Sequence, residues 1–132
     1  MSKAKNKIYQ IAKQRASEEL NKKANQIADD VKEMARSSIQ EWYDAYYPRS
    51  YRRTYATFAG STRVCEIGET SAVAGVRIDP GQVPDTYYHD PPSYVFPRSF
   101  DLGIHGTIDT GGQTTSPREI LNKKFNAYKA SL

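Results

Sequence analysis

The residues of this chain best equipped for catalysis or metal binding are two histidines, one cysteine and a scatter of carboxylates. His105 stands in Gly103-Ile104-His105-Gly106, near Asp101 and Asp109, where an imidazole and a carboxylate could share a proton or a cation. The spacing does not support either. Cys65 is the only thiol, and the two histidines, His89 and His105, match no zinc pattern. Asp79, Asp85, Asp90 and Asp101 lack the every-other-residue ligands of a calcium loop. Gly111-Gly112 precedes a helix start whose free amides attract anions, but GxxxxGK[ST] and GxGxxG are both absent, and Glu119 in the first turn repels negative charge. Serine, histidine and aspartate all occur without a nucleophile elbow. The chain therefore reads as a non-enzyme with no cofactor and no metal. His105 is expected to be a buried or hydrogen-bonded turn histidine, and Cys65 a small buried hydrophobe.

A stronger signal is aromatic and basic. The run from Trp42 to Tyr55 interleaves tyrosines with Arg49, Arg52 and Arg53. Tyrosine and arginine give wide contact area with polar handles, the mixture enriched at protein interfaces. The same mixture stacks bases and pairs phosphates, so a small basic nucleic-acid-binding module using residues 46–55 is the alternative. A second aromatic group lies among five prolines in residues 80–100. The interface candidates are Tyr46, Tyr47, Arg49, Tyr51, Arg52, Arg53, Tyr87, Tyr88, Tyr94 and Phe96. Arg52 and Arg53 stand first, as arginines in an aromatic setting.

A chain of 132 residues fits one domain with a modest core. No run approaches the roughly 18 apolar residues of a membrane span, so no membrane partner is expected. The basic start, Met1 to Lys5, has no apolar run behind it and reads as no secretory signal. Charge is segregated: residues 1–36 carry +4, residues 37–64 +2, residues 65–100 −3 and residues 101–132 +1. A basic front and an acidic middle suit head-to-tail contact between copies.

The elements that must hold these residues follow from period. Ile8, Ala12, Ala16, Leu20, Ala24, Ile27, Val31 and Ala35 recur three or four apart, and no proline or glycine precedes Pro48. A helix over roughly 4–45 would be about 60 Å long, longer than a domain of this size. Either it breaks near Ser37-Ser38 or its first half projects. Residues 55–67 and 72–78 read as strands joined by Gly68-Glu69-Thr70, with Asp79-Pro80-Gly81 ending the hairpin. Residues 80–100 read as a long loop, ordered by a partner. Ser116-Pro117-Arg118-Glu119 is a capping box with proline at the first helical position, and the helix should run to about Ala130. The fold class is α+β: a long N-terminal helix (1–45), a β-rich body with a small, mainly antiparallel sheet (46–115), and a C-terminal helix (116–132) packed on the sheet. Trp42, Ile67, Val76, Ile104, Leu121 and Phe125 are expected in one core.

The order of these features resembles a known family. A lysine-rich helix leads into Tyr46-Tyr47-Pro48-Arg49-Ser50-Tyr51-Arg52-Arg53-Thr54, then two strands, then Asp101-Leu102-Gly103-Ile104-His105-Gly106, then a Ser-Pro-initiated last helix. Over about residues 30–130 this is similar to the minor structural proteins that complete the head–tail junction of tailed bacteriophages, the neck or tail-completion family. The resemblance implies a virion protein in the neck or tail region, passing through the host cytoplasm during assembly. It implies a ring of six or twelve copies around the DNA path. Its neighbours would be a portal-side adaptor or connector and the tail tube or terminator proteins, with non-specific DNA contact in a channel. The chain departs from the family pattern in its long first helix and its Pro/Tyr-rich 80–100 segment.

Overall fold

A computed structural model describes residues 2–48, 53, 55–83, 92–106 and 112–132. Helix α1 runs unbroken from Lys3 to Asp44. Its start is capped by Ser2, whose side chain accepts a hydrogen bond from the Lys5 amide at 3.2 Å. Of the two alternatives, the break at Ser37-Ser38 does not occur. Both hydroxyls instead donate back to the Met34 carbonyl, at 3.2 and 2.7 Å, and so stay inside the helix. At 42 residues the helix is about 63 Å long.

The two halves of α1 differ. From Ala24 onward a stripe of Ala24, Ala28, Val31, Ala35, Ile39 and Trp42 is buried. Residues 3–19 are exposed throughout. The first half therefore adds nothing to the core; the hairpin turn reaches it at Lys13, and the helix projects beyond that point.

Strands β1 (Ser61–Ile67) and β2 (Ala72–Ile78) form one antiparallel hairpin, with Val64 opposite Gly75. One face lies along α1. Arg63 on that face donates to the carboxylate of Asp29 at 2.7 Å and to the Asn25 side chain at 2.8 Å. Lys32 reaches up from the helix to the Ser61 hydroxyl at 2.7 Å, and its partial burial lowers its pKa. The strand expected from Tyr55 begins only at Ser61. Tyr55 has a left-handed backbone (φ 58), and Ala56–Gly60 form a 3-10 turn. A pleated strand cannot pass through that conformation.

The 80–100 loop is corrected in part. Pro80–Gln82 are a 3-10 turn, and Pro92–Phe100 form helix α2. Proline suits a first helical turn, where its missing N–H is not needed. Pro97 inside the helix removes one backbone bond. Burial of Phe96 and Phe100, four residues apart and stacked at 5.3 Å, offsets that loss. Gly103 (φ 74) closes the segment, its amide donating to the Ser99 carbonyl at 3.0 Å.

Helix α3 (Pro117–Ser131) starts as the capping box predicts, Ser116 Oγ accepting from the Glu119 amide at 3.1 Å. It runs antiparallel to α1. Lys124 donates to Ser37 at 2.9 Å and pairs with Glu41 at 2.6 Å, and Tyr128 donates to Asp30 at 2.7 Å.

The core joins Ala35, Ile39, Trp42, Tyr43, Phe96, Phe100 and Leu121, with Val76, Ile78 and Ile120 packed against it. The fold is α+β, and α1 is the spine on which hairpin and α3 meet. Trp42, Leu121 and Val76 are where the sequence places them. Ile67 is not: it sits at the far end of the hairpin and is 40% exposed. Phe125 and Ile104 are half-buried and stand outside the cluster. Phe96 and Phe100 of α2 occupy the volume instead. Cys65 is half-buried, on the helix-facing side of a hairpin too narrow to cover it fully.

Candidate functional site

Two regions carry more chemistry than the fold needs. The first is the projecting half of α1. Ala4, Ile8, Ile11 and Ala12 recur at helical spacing, so they line one side of the helix. Ile8 is 67% exposed and Ile11 43%. The buried stripe of the second half, continued by the same spacing, meets Asn21, Ser17, Gln14 and Gln10. The exposed stripe is therefore a separate face, turned away from the sheet. Its charge is also one-sided: residues 3–16 hold Lys3, Lys5, Lys7, Lys13 and Arg15 and no carboxylate. Lys13 meets Glu69 of the hairpin turn at 3.1 Å, an exposed pair that contributes little to stability.

The second region is an aromatic cluster where the C-terminal end of α1 meets the turn after α2. His105 stacks on Trp42, with ring centroids 4.2 Å apart and planes 14° apart. Tyr46 closes on the same imidazole at 4.9 Å. Tyr43 packs on Trp42 at 4.6 Å, and its ring carries the Arg53 guanidinium at 5.2 Å. The turn is held by backbone bonds, with the His105 amide donating to the Gly112 carbonyl at 2.8 Å and Ile104 bridging to Gln113. Tyr46 lies so close over Gly112 that a Cβ there would meet the ring at 2.6 Å.

This cluster holds polar atoms with nothing to bond. Trp42 Nε1, His105 Nδ1, and Nε and Nη2 of Arg53 are buried and have no hydrogen-bond partner among the described residues. An unmet buried polar group costs about 1–3 kcal/mol. The other imidazole nitrogen, His105 Nε2, lies 2.7 Å from the Thr114 hydroxyl. Burial, and secondarily the charge of Arg53, push the His105 pKa down to about 4, so the ring is neutral near pH 7. Burial also raises the pKa of the Tyr43 phenol.

The interface candidates are not brought together. Tyr47 is 87% exposed and Tyr94 47% exposed, the latter under Arg98 at 4.7 Å. Tyr46 and Arg53 turn inward to the His105 cluster. Phe96 is corrected: at 4% exposure it fills the core, and a Cβ on Gly60 would overlap its ring. Arg49, Tyr51, Arg52, Tyr87 and Tyr88 lie outside the described residues.

Sequence reasoning found the histidine buried, as the structure has it, but not its partner. Trp42 and His105 are 63 positions apart, and no spacing rule links them. Among the described residues no cluster of His, Cys, Asp and Glu could hold a metal ion, and no helix is long and apolar enough to cross a membrane. No protein-family model, curated protein or solved structure matches the chain.

Proposed function

We propose that this protein is a structural component of a larger assembly, a ring of identical copies formed by protein–protein docking and without enzymatic activity. The observation that carries the reading is the projecting half of α1, with Ile8 and Ile11 exposed on a basic stretch free of carboxylates. A two-turn apolar stripe gains little alone in water, so its burial calls for a second surface.

The occupant in this reading is the next copy. Two such stretches laid together repel, since every charged residue in 3–16 is basic. The net −3 that residues 65–100 carry in sequence is the complement a neighbouring copy offers. Basic helix on acidic body is a head-to-tail contact, and such contacts close into rings when the rotation allows. The resemblance to head–tail junction proteins points the same way. It suggests a neck or tail-completion ring around the DNA path, between portal-side and tail-side proteins. The inward turn of Arg53 disfavours the nucleic-acid module as the main role.

Aspartate at both Ile8 and Ile11 is the test. Neither side chain supports the body, so the double variant should unfold within about 0.5 kcal/mol of the parent. Sedimentation should show the parent as a discrete multi-copy species and the variant as a monomer. A parent that is monomeric at high concentration, or a variant that assembles normally, would sink the reading. DNA retention that weakens steeply with salt would favour the nucleic-acid alternative.

A further inference from the structure

We infer that the outer face of the β1–β2 hairpin is the seat of the projecting helix: Ile8 and Ile11 of the next copy lie over Val64 and Val73, and its Arg15 pairs with Glu66. The inference rests on the assembly reading above and names the surface on which that contact is made.

Alternation along the strands sorts the hairpin into two faces. Ser61 and Arg63 meet α1, and Val76 and Ile78 pack against the core, so theirs is the covered face. The other face carries Thr62 opposite Arg77, Val64 opposite Gly75 and Glu66 opposite Val73. An antiparallel sheet that meets only water on one side carries polar residues there. Here the middle is apolar instead. Val73 is 62% exposed, and a shallow depression is lined by Val64, Glu66, Val73, Gly75 and Arg77. Gly75 offers bare backbone in it, the kind of position where a second element comes close.

Helix α1 holds the complement. Lys13 reaches its own hairpin turn at Glu69. Arg15, two residues on, points to the opposite side of the helix and falls in the stripe of Ala4, Ile8 and Ile11. That stripe has its back to its own hairpin, so its partner comes from another molecule. Among the described residues, neither Arg15 nor Glu66 makes an ion pair. An unpaired cation in one apolar stripe and an unpaired carboxylate beside one apolar seat are complementary.

Spacing fixes the register. Ile8, Ile11 and Arg15 span about 10 Å of helix. Gly75 and Val73 stand about 7 Å apart along the strand. With Ile8 over Gly75, Ile11 falls on Val64 and Val73, and the Arg15 backbone lies just past Glu66. Helical side chains lean toward the N-terminus, which brings the guanidinium back onto the carboxylate. The reversed direction would set Arg15 on Arg77, and like charge opposes it.

Sedimentation velocity of full-length chains tests the seat. Val73→Lys changes an exposed position, pairs with its own Glu66 and presents positive charge to a basic helix. It should sediment as a monomer where the parent assembles. Mixed one to one with Ile8→Asp/Ile11→Asp, whose seat is intact, it should give a heterodimer that grows no further. Arg15→Glu and Glu66→Arg should each raise the concentration needed for assembly by about tenfold or more, and the two together should recover most of it. Should Val73→Lys not fold, the charge exchange decides the matter. An assembling parent whose Val73→Lys variant also assembles, or an exchange that recovers nothing, would overturn the seat and leave the ring standing. A monomeric parent would overturn both.

Discussion

His105 couples folding to pH through its burial against Trp42. Its pKa is about 4 in the folded chain against 6.5 for an unperturbed imidazole. The unfolded chain takes up a proton near pH 6.5 while the folded chain still refuses it. This contribution is therefore whole above about pH 6.5 and is lost as pH falls toward about 4, by ~3 kcal/mol in full. Urea unfolding of the parent and of His105→Gln across that window should show the slope in the parent and a smaller one in the variant. Equal slopes would mean that the imidazole is not buried neutral. Gly103 belongs to the same scale. Its φ of 74 and a would-be Cβ 2.0 Å from the Thr114 carbonyl oxygen leave no room for alanine. Gly103→Ala should cost more than the roughly 1 kcal/mol of an ordinary left-handed alanine, because backbone must move as well. A neutral result would show that the turn before His105 is loosely held. Little of this was legible beforehand. The sequence shows a histidine among glycines, but the stack on Trp42 is a product of where α1 and α2 deliver their ends.

At the scale of elements, the helix ends were the most readable parts. Ser116 and Glu119 form the α3 start as a local pattern, and local patterns survive into the fold. Helix α2 was hidden for the opposite reason. Pro97, inside it, argues against a helix, while the burial of Phe96 and Phe100 that stabilises it is a tertiary event. Hydrophobic identity also fails to separate Leu121 from Phe125 in α3. Leu121 is 8% exposed and inside the core, whereas Phe125 is half-buried with Lys129 over its ring at 5.1 Å. Leu121→Ala should cost about 2–5 kcal/mol, and Phe125→Ala less than the 3–5 kcal/mol of a fully buried phenylalanine. Chemical denaturation of both variants checks the order. The reverse order would place the α3 contact one turn later, at Phe125.

The whole molecule is a body with a lever. The body is closed by Ile39, Trp42, Phe96, Phe100 and Leu121, and nothing in it requires residues 3–16 of α1. A chain beginning at residue 17 should therefore keep its melting temperature within a few degrees, a shift of about 1 kcal/mol or less. It should lose the ability to assemble. The sequence announced the excess length of α1 through its unbroken period. It did not say that the exposed stripe and the buried stripe lie on different sides, because that distinction needs the hairpin and α3 in place.

The central claim is that the projecting basic helix docks on another copy. Electron microscopy of negatively stained, purified chain, without nucleic acid, tests it most directly. The account predicts closed rings of uniform diameter from the parent and single small particles from Ile8→Asp/Ile11→Asp at the same concentration. Single particles from both, or identical rings from both, would contradict it.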